Sequence, residues 1–545
     1  MNQPSPPSPL PSAEEASKPS NAPPSAWSPL RHTIFRWVWL AAIASNIGTW
    51  MHEVGAGWLM TSLSSDPFTV ALVQAANAAP MFLLALPAGA LADIVDRRRY
   101  LLVLQAWMAG VALTLALLAW SGGITPASLL WLTLAMGIGS ALMMPAWVAL
   151  TPDLVPPDEL PAAVVLSSVG FNISRAVGPA LAGLIISATG PWATFLLNTL
   201  SFLGVIVVLW RWRPPPVERV LPSERFFGAL RIGLSYARRE PALHALLVRA
   251  LAFFLCASAG MALLPLLVRL ELAGGANLYG GLLAGVGAGA VGGAFVLPKL
   301  RERLSRDALV AGASLLYAAI LVCLALVRSV PALVIAMLVA GAAWIAVLSS
   351  LQVSAQTLAP AWVRARVLAV YMLTFFGAMA VGSGLWGAVA SRTGLSMALL
   401  AAAVGLALFV PLSWRFKLAR GEGIDLSPSL HWPAPIAVET VAPDRGPVLI
   451  TLEYEVEPAD AAAFAAAMRE VARIRRRNGA LSWGLFNDTE NPRKWLEFFI
   501  DESWVEHLRQ HRRFTRADRE VEAAARRFVV GGVSPTVRHF LAPER

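Results

Sequence analysis

Apolar segments of about 20 residues or more recur between Phe35 and Phe416, separated by short polar breaks. An α-helix needs about 20 apolar residues to cross roughly 30 Å of hydrocarbon, so each segment is long enough for one crossing. Of all residues, 57% are hydrophobic and 14% are charged, whereas soluble domains have about a quarter charged. We therefore predict an all-α polytopic membrane protein with twelve transmembrane helices, near residues 35–62, 67–92, 100–121, 127–149, 162–187, 191–212, 242–268, 277–298, 308–327, 331–353, 366–391 and 395–416.

The positive charges of the loops support this count. Lys and Arg near helix ends stay preferentially on the cytoplasmic side of a membrane. The loops on the proposed outer side contain only Arg269, Arg328 and Arg392. An even number of crossings with both termini in the cytoplasm follows, since the proposed inner side carries Arg31, Arg36, Arg97 to Arg99, the arginines between Arg211 and Arg249, Lys299, Arg301, Arg303, Arg306, Arg364, Arg366 and Arg415.

The formal charge of +10 does not indicate a nucleic-acid partner. Residues 1–416 contain 25 Lys/Arg and 15 Asp/Glu, and residues 417–545 contain 19 of each. The excess lies entirely in the membrane part, where it serves topology.

An internal repeat predicts two six-helix halves, the arrangement of parallel repeats in transporters. A shift of 204 residues brings Pro156 onto Pro360, Phe171 onto Phe375, Gly178 onto Gly382 and Gly183 onto Gly387. We expect a disordered cytoplasmic tail at 1–29, a first half at 30–212, a connector at 213–241, a second half at 242–416, a linker at 417–447 and a soluble α+β domain at 448–545. Within the connector, residues 224–239 are predicted to form an amphipathic helix on the membrane surface, the alternative being a solvated linker.

A charged turn, GALADIVDRRR, joins the second and third predicted helices over Gly89–Arg99. It resembles the signature loop of the major facilitator superfamily in Gly89, Asp93, Arg97 and Arg98, and departs from it at Ile94 and Asp96. The resemblance implies a cytoplasmic gate in which Asp93 meets the start of the eleventh helix, near Arg364 and Arg366, in an outward-open state. Alternatively, the arginines only fix topology.

The run NISRAVGPALAG on the fifth predicted helix resembles a motif of the exporting, antiporting branches of that superfamily, in Gly178, Pro179 and Gly183, with Ser174 at a glycine position. In this motif, together with the run from Pro145 to Gly183 and its repeat, the chain resembles the branch that includes enterobactin exporters and macrolide efflux proteins. This resemblance implies an exporter of a small amphipathic molecule (a siderophore, drug or secondary metabolite), in the inner membrane of a bacterium. An importer would share the fold.

Ionisable residues inside the membrane are costly and mark functional sites. We predict that Glu53 binds and releases a proton during transport and that Arg175 is its partner; the alternative is a buried acid locked to a base for packing. Further residues expected to line the substrate path are Asn46, Trp50, Asn77, Asn172, Gln352 and Tyr371. The sequence contains no phosphate-binding loop, metal-binding spacing or nucleophile motif, so we expect no cofactor, no metal and no catalytic residue. The expected partners are a small-molecule substrate, protons and the lipid bilayer.

After Phe416 the pattern changes to strand, helix, strand, strand, helix, strand, the ferredoxin-like order. The strands are predicted at Val448–Val456, Leu481–Asn487, Trp495–Ile500 and Thr536–Leu541, and the helices at Ala459–Arg477 and Glu502–Phe528. The pattern resembles the antibiotic-biosynthesis monooxygenase type, whose domains commonly pair. This tail is thus either a module for homodimerisation or an oxygenase-like enzyme, for which the membrane part would be a platform.

Overall fold

Twelve long helices form the membrane part of the described chain. The computed structural model describes residues 25–212, 236, 238–418, 425–429, 431–432, 441–442 and 444–543. The helices are α1 (Thr33–Leu63), α2 (Pro67–Ile94), α3 (Arg97–Ser121), α4 (Pro126–Val148), α5 (Leu160–Thr189), α6 (Trp192–Arg211), α7 (Pro241–Leu266), α8 (Ala276–Arg303), α9 (Arg306–Leu326), α10 (Val330–Thr357), α11 (Arg364–Thr393) and α12 (Leu395–Ser413).

Ten of these helices, α2 to α11, are long and apolar enough to cross a membrane. Helix α1 is long, but Asn46, His52 and Glu53 make it more polar, and the apolar part of α12 is the shorter segment Leu395–Pro411. All twelve predicted helices are thus present in the described part of the chain, and the protein is a multi-pass membrane protein.

Helix packing divides the bundle into two halves of six. In the first half α1 packs on α5 and α6, α2 on α4, and α3 on α6; in the second half α7 packs on α11, α8 on α10, and α9 on α12. The two halves meet mainly through α2 with α11 and through α5 with α8. This pair of contacts is what the internal repeat predicts, because α11 is the counterpart of α5 and α8 of α2.

The bundle has two ends, which we call near and far. The near end carries the start of α1 and the tail, and the far end carries the six short turns that follow the odd-numbered helices. Residues Ser28–Arg31 form a short 3₁₀-helix at the near end, with Ser28 and Pro29 buried. The prediction of disorder for residues 1–29 is therefore wrong for this last segment, because the apolar ring of Pro29 packs against the bundle; residues 1–24 lie outside the described residues.

The tail has the predicted ferredoxin-like architecture. Its antiparallel sheet has the order β2-β3-β1-β4, built from β1 (Val448–Glu455), β2 (Ser482–Asn487), β3 (Lys494–Asp501) and β4 (Thr536–Leu541). Helices α13 (Ala461–Arg477), α14 (Trp504–Arg513) and α15 (Arg516–Arg526) complete the domain. One long helix was predicted over Glu502–Phe528, but the chain breaks there because Thr515 forms a capping box with Asp518 and starts α15.

The tail docks on the second half at the near end. Arg477 Nη1 lies 3.0 Å from Glu240 Oε2, just before α7, and the guanidinium of Arg513 lies 5.1 Å from the ring centre of Trp362, just before α11. Within the membrane part, the hydroxyl of Tyr236, in the connector, donates to Leu358 O at the end of α10, at 3.1 Å. Most of the predicted amphipathic helix at 224–239 lies outside the described residues.

Candidate functional site

A carboxylate and an amide from two helices meet inside the first half. Asn77 Nδ2 on α2 donates to Glu53 Oε1 on α1 at 3.0 Å, and both side chains are half-buried. The neighbouring His52 is only 3% exposed and packs edge-on against Phe195. Glu53 and Asn77 thus share one site, while His52 points into the core of the first half.

Arg175 approaches this site from α5. Its guanidinium lies 5.9 Å from the ring centre of Trp50, and it interacts electrostatically with Glu53 and with Tyr317 of the second half. Among the described residues, Arg175 and Glu53 form no ion pair at salt-bridge distance. The charges therefore influence one another without being locked together.

Small residues on α5 explain how these side chains come so close. A Cβ atom at Gly178 would lie 2.5 Å from Trp50 Cβ, so only glycine lets α5 approach α1 at this level. Ser174 is fully buried and donates to Gly170 O at 2.9 Å and to Ile43 O at 3.2 Å. These small residues of α5, Ser174, Gly178 and Gly183, form a stripe. The stripe acts as a packing surface for α1, as expected of small residues between membrane helices.

The same stripe also builds the seam between the halves. A Cβ at Gly183 would lie 2.8 Å from Ala276 O of α8, and one at Gly280 would lie 2.4 Å from Pro179 O. On the other side of the molecule, a Cβ at Gly387 of α11 would lie 2.6 Å from Ala71 Cβ of α2. Gly183 and Gly387, which the repeat superimposes, therefore make equivalent contacts across the seam.

The repeat also shows what is particular to the first half. Gly382 lies against Leu255 and Ser258 of α7 as Gly178 lies against Ile47 and Trp50 of α1. In this register Met261 and Met379 stand where the first half has Glu53 and Arg175. One turn before Met379, Phe375 packs edge-on against Phe254, which also contacts Trp344. The arrangement of Glu53 and Arg175 therefore has no counterpart at the repeated positions of the second half.

At the far end, polar contacts join the halves. Ser391 Oγ of α11 donates to Asp66 Oδ1 at 2.5 Å and accepts from Phe68 N at 3.0 Å. Burial of Asp66 opposes its ionisation, but hydrogen bonds from Ser391, Thr69 and two backbone N–H groups outweigh burial and lower its pKa. The far end is therefore closed by direct contact.

At the near end, the charged turn is tied to its own half. Asp96 caps α3 by accepting from Arg99 N at 2.8 Å, Arg97 pairs with Asp153, and Arg98 Nε donates to Leu209 O at 2.9 Å. Gly89 has open space around it. The side chain of Asp93 lies outside the described residues, so its contact with the start of α11 stays a prediction.

The other predicted path residues lie in different settings. Asn46 lines a small crevice between α1, α4 and α5, together with Trp39 and Phe171. Asn172 donates to Ser168 O of its own helix at 2.8 Å, and Gln352 is half-buried on α10. Tyr371 is fully buried in the core of the second half, where its hydroxyl donates to Leu348 O at 3.4 Å, and its place on the path stays a prediction.

Two tyrosines near the site were missed. Tyr279 and Tyr317 are buried and interact electrostatically with Glu53 and Arg175, respectively. Both lie in apolar runs, where the sequence predicts that a tyrosine only packs in the core. Their proximity to Glu53 and Arg175 is seen only in the structure, because they lie on the other side of the seam. Within the described residues, no group of three or more His, Cys, Asp or Glu side chains is placed to hold a metal ion.

Curated relatives of the chain are membrane transporters. It is 25% identical to the staphyloferrin A transporter of Staphylococcus aureus (strain NCTC 8325 / PS 47), over 47% of this chain and 64% of that protein. It is 24% identical to the multidrug efflux pump Tap of Mycolicibacterium fortuitum, over 38% of this chain and 53% of that protein. The chain spans about half to two thirds of the length of these relatives.

Solved structures share the fold at low identity. A bacterial homologue of the human lysosomal transporter Spinster, in an inward-facing and unoccupied conformation, superimposes with a TM-score of 0.58 and 16% identity, over 72% of this chain and 98% of that one. A D-xylose–proton symporter superimposes with a TM-score of 0.58 and 13% identity, over 72% of this chain and 99% of that one. These similarities establish the major facilitator fold of the bundle.

The family assignment rests on nearly the whole chain. The profile of the family described as transmembrane secretion effector matches residues 24–545, which include the tail. With the two-half bundle and the seam described above, the chain belongs to the transmembrane secretion effector family and has the major facilitator fold.

Proposed function

We propose that this protein is a secondary active transporter that exports a small amphipathic molecule in exchange for protons. The two halves alternate between opening at the near end and opening at the far end. The near end faces the cytoplasm of a bacterium, as the arginine-rich loops predict, and both termini lie on that side. The observation that carries the proposal is Glu53, held by Asn77 and facing Arg175 beside the seam.

The surroundings of Glu53 suit a group that gains and loses a proton. A carboxylate inside a membrane is costly unless paired, so it persists where it serves a function. Glu53 has one neutral hydrogen-bond donor and no salt-bridge partner among the described residues. The amide of Asn77 can donate to a carboxyl oxygen of Glu53 whether or not that carboxyl carries a proton, whereas a locked ion pair would favour only the charged form.

The names of the relatives support the cargo class. The staphyloferrin A transporter and the multidrug efflux pump Tap are named for small molecules of different kinds. The aromatic contacts of Trp50 with Phe171, at 6.3 Å between ring centres, provide an apolar surface beside the charged groups. A cargo with both polar and apolar parts suits this arrangement.

Transport by reconstituted protein tests the proposal. Liposomes containing the full chain are given a proton gradient, and uptake of ethidium and of staphyloferrin A is followed as two probes of different chemistry. We expect gradient-driven transport of at least one probe, and its loss in Glu53→Gln. The matched control is Glu302→Gln, at an exposed near-end position, which should transport normally. Normal gradient-driven transport by Glu53→Gln would contradict the role of Glu53.

A second proposed role, homodimerisation through the tail, rests on the outer face of its sheet. Phe486 is 57% exposed, Phe540 is 47% exposed, and Phe498 stacks on Phe486 at 5.7 Å. Alternation along the strands places these rings opposite the domain core, so they form an apolar face without a cover in the described chain. Apolar surfaces of this kind mark interaction sites.

Size-exclusion chromatography with multi-angle light scattering, applied to the full chain in detergent, tests this role. We expect a dimer that Phe486→Glu converts to a monomer, whereas Val533→Glu, at a 68% exposed position of the tail outside its strands, leaves the dimer unchanged. A wild-type monomer at micromolar concentration would rule the dimer out. An oxygenase-like activity of the tail stays a prediction.

A further inference from the structure

Arg269 reaches across the seam at the far end. It lies in a π-helical turn, Leu267–Glu271, that follows α7, and turns of this type occur frequently at functional sites. Its Nη1 atom donates to Thr61 Oγ1 at 2.9 Å and to Ser62 Oγ at 2.6 Å, both at the end of α1. One side chain of the second half therefore holds the last turn of a helix of the first half.

Aromatic rings extend this contact toward the middle of the membrane. The guanidinium of Arg269 lies 5.4 Å from the ring centre of Trp58, and Trp58 stacks on Tyr279 of α8 at 5.9 Å with the planes 22° apart. The stack again joins the two halves, since Trp58 belongs to α1 and Tyr279 to α8. Cation–π contacts of this kind are strongest over tryptophan.

Tyr279 connects the stack to the candidate site. Its hydroxyl lies 3.1 Å from where a Cβ atom at Gly57 would be, so glycine at this position makes room for it. Gly57 is one helical turn beyond Glu53 on α1, and Tyr279 interacts electrostatically with Glu53. A chain of contacts thus runs from Arg269 through Trp58 to Tyr279, and Tyr279 in turn interacts electrostatically with Glu53.

The partners of Arg269 make this contact reversible. No carboxylate of the described chain pairs with Arg269, because the nearby Glu271 pairs with Arg328 at 3.1 Å instead. Two neutral hydroxyls and a ring hold the guanidinium more weakly than a carboxylate would. A contact that must break in every transport cycle is better served by such partners.

We propose that Arg269, Trp58 and Tyr279 form a far-end latch that keeps the far end closed and links its release to Glu53. This proposal rests on the transport function proposed above and adds the element that controls release of the cargo at the far end. The latch closes while the near end loads cargo, and it opens when the charge of Glu53 changes.

Spin labels across the far end measure the latch directly. Labels are placed at Ala188→Cys in the first half and Ser329→Cys in the second, both exposed, with the two native cysteines replaced by alanine. Double electron–electron resonance then gives the populations of closed and open far ends. Arg269→Ala should lower the closed-to-open ratio by about tenfold, since two hydrogen bonds and a cation–π contact are lost.

Controls separate the latch from general damage. Arg392→Ala removes an exposed arginine at the far end of α11 and should leave the distances unchanged. Arg269→Lys keeps the charge with fewer donors and should give an intermediate ratio. An unchanged distance distribution in Arg269→Ala, with protein that still elutes as a single species, would overturn the latch.

The link to Glu53 has its own readout. Glu53→Gln should shift the closed-to-open ratio, and Tyr279→Leu should reduce that shift at least threefold, as expected when coupled residues are separated. An equal shift with and without Tyr279 would overturn the link. These measurements need no gradient or cargo. They can therefore overturn the latch without affecting the proposed role of Glu53 in transport, and the transport assay can overturn that role without affecting the latch.

Discussion

Buried charges are held differently in the tail and at Glu53 of the membrane bundle. In the tail, Arg475 is 1% exposed and pairs with Glu497 at 3.1 Å and Glu522 at 3.3 Å. Glu497 accepts two further hydrogen bonds, from Tyr454 and Trp483. In the bundle, Glu53 has a single donor, Asn77.

This difference separates a structural network in the tail from the site that we propose to be functional in the bundle. A buried ion pair with its hydrogen bonds satisfied resists any change of protonation, because removing either charge leaves the other uncompensated. Burial of Arg475 opposes its charge, but Glu497 and Glu522 outweigh burial and raise its pKa. The Glu53 site lacks such a network, which argues against an acid locked to a base for packing. The tail shows what that alternative looks like in the same chain.

The largest expected effect is in the tail. Arg475→Met should destabilise it by about 3–5 kcal/mol, because Glu497 and Glu522 lose their buried counter-charge. Hydrogen–deuterium exchange of β1 and β3 in the full chain measures this. Arg473→Met, whose side chain is 47% exposed, should leave exchange unchanged. Equal exchange in wild type and Arg475→Met would mean that the tail network is not structural.

The second-largest effect is expected at acid pH, which should lower the free energy of unfolding of the tail. Burial, and the proximity of His507, lower the pKa of His511 and of His539 to about 4, so both are neutral in the folded tail at pH 6. The unfolded chain takes up protons near pH 6.5, and the folded tail only near pH 4; stability is therefore lost as pH falls through this window. Limited proteolysis at pH 7 and pH 5 should show faster cleavage of the tail at pH 5, and replacing both histidines by phenylalanine should remove the difference.

A smaller loss is expected from the bundle site. Asn77→Ala removes the only hydrogen bond to Glu53 in the described chain and should cost about 1 kcal/mol. Thermal unfolding of the detergent-solubilised protein, followed by size-exclusion chromatography, measures the change. A loss as large as that of Arg475→Met would place Glu53 in a structural network like the one in the tail.

The smallest effect on stability is expected from Glu53→Gln, the variant for which we expect the largest loss of transport. Glu53→Gln keeps an acceptor for Asn77 and removes a charge that has no salt-bridge partner, so unfolding should shift by less than about 0.5 kcal/mol. The same thermal assay applies, run beside the transport measurement. If the variant unfolds as readily as Arg475→Met, the contrast between the two regions disappears.

Much of the fold could be predicted from the sequence. The twelve helices follow from the length of the apolar runs, and their predicted ends lie within a few residues of α1 to α12. The order of strands and helices along the tail follows from its alternation of patterns. The break between α14 and α15 was missed, although Thr515 and Asp518 stand at capping-box spacing, because the helical pattern continues across them.

The candidate site could be predicted only in part. Glu53, Asn77, Trp50 and Arg175 stand out as polar or aromatic residues in apolar runs, and the structure brings them together. Tyr371 carried the same signal but packs in the core, because periodicity on a mostly apolar helix does not show which side faces the seam. Tyr279 and Arg269 were missed because their partners are on α1, more than 200 residues away.

The sequence by itself determined which residues cross the membrane, which loops carry the positive charge and that the chain repeats, since these depend on local hydropathy and spacing. Only the tertiary structure decided which glycines meet across the seam, that Asn77 and Arg175 lie near Glu53 and that Arg269 closes over Trp58. Those contacts depend on how close two helix backbones approach, and that distance is set by pairs of residues far apart in the chain.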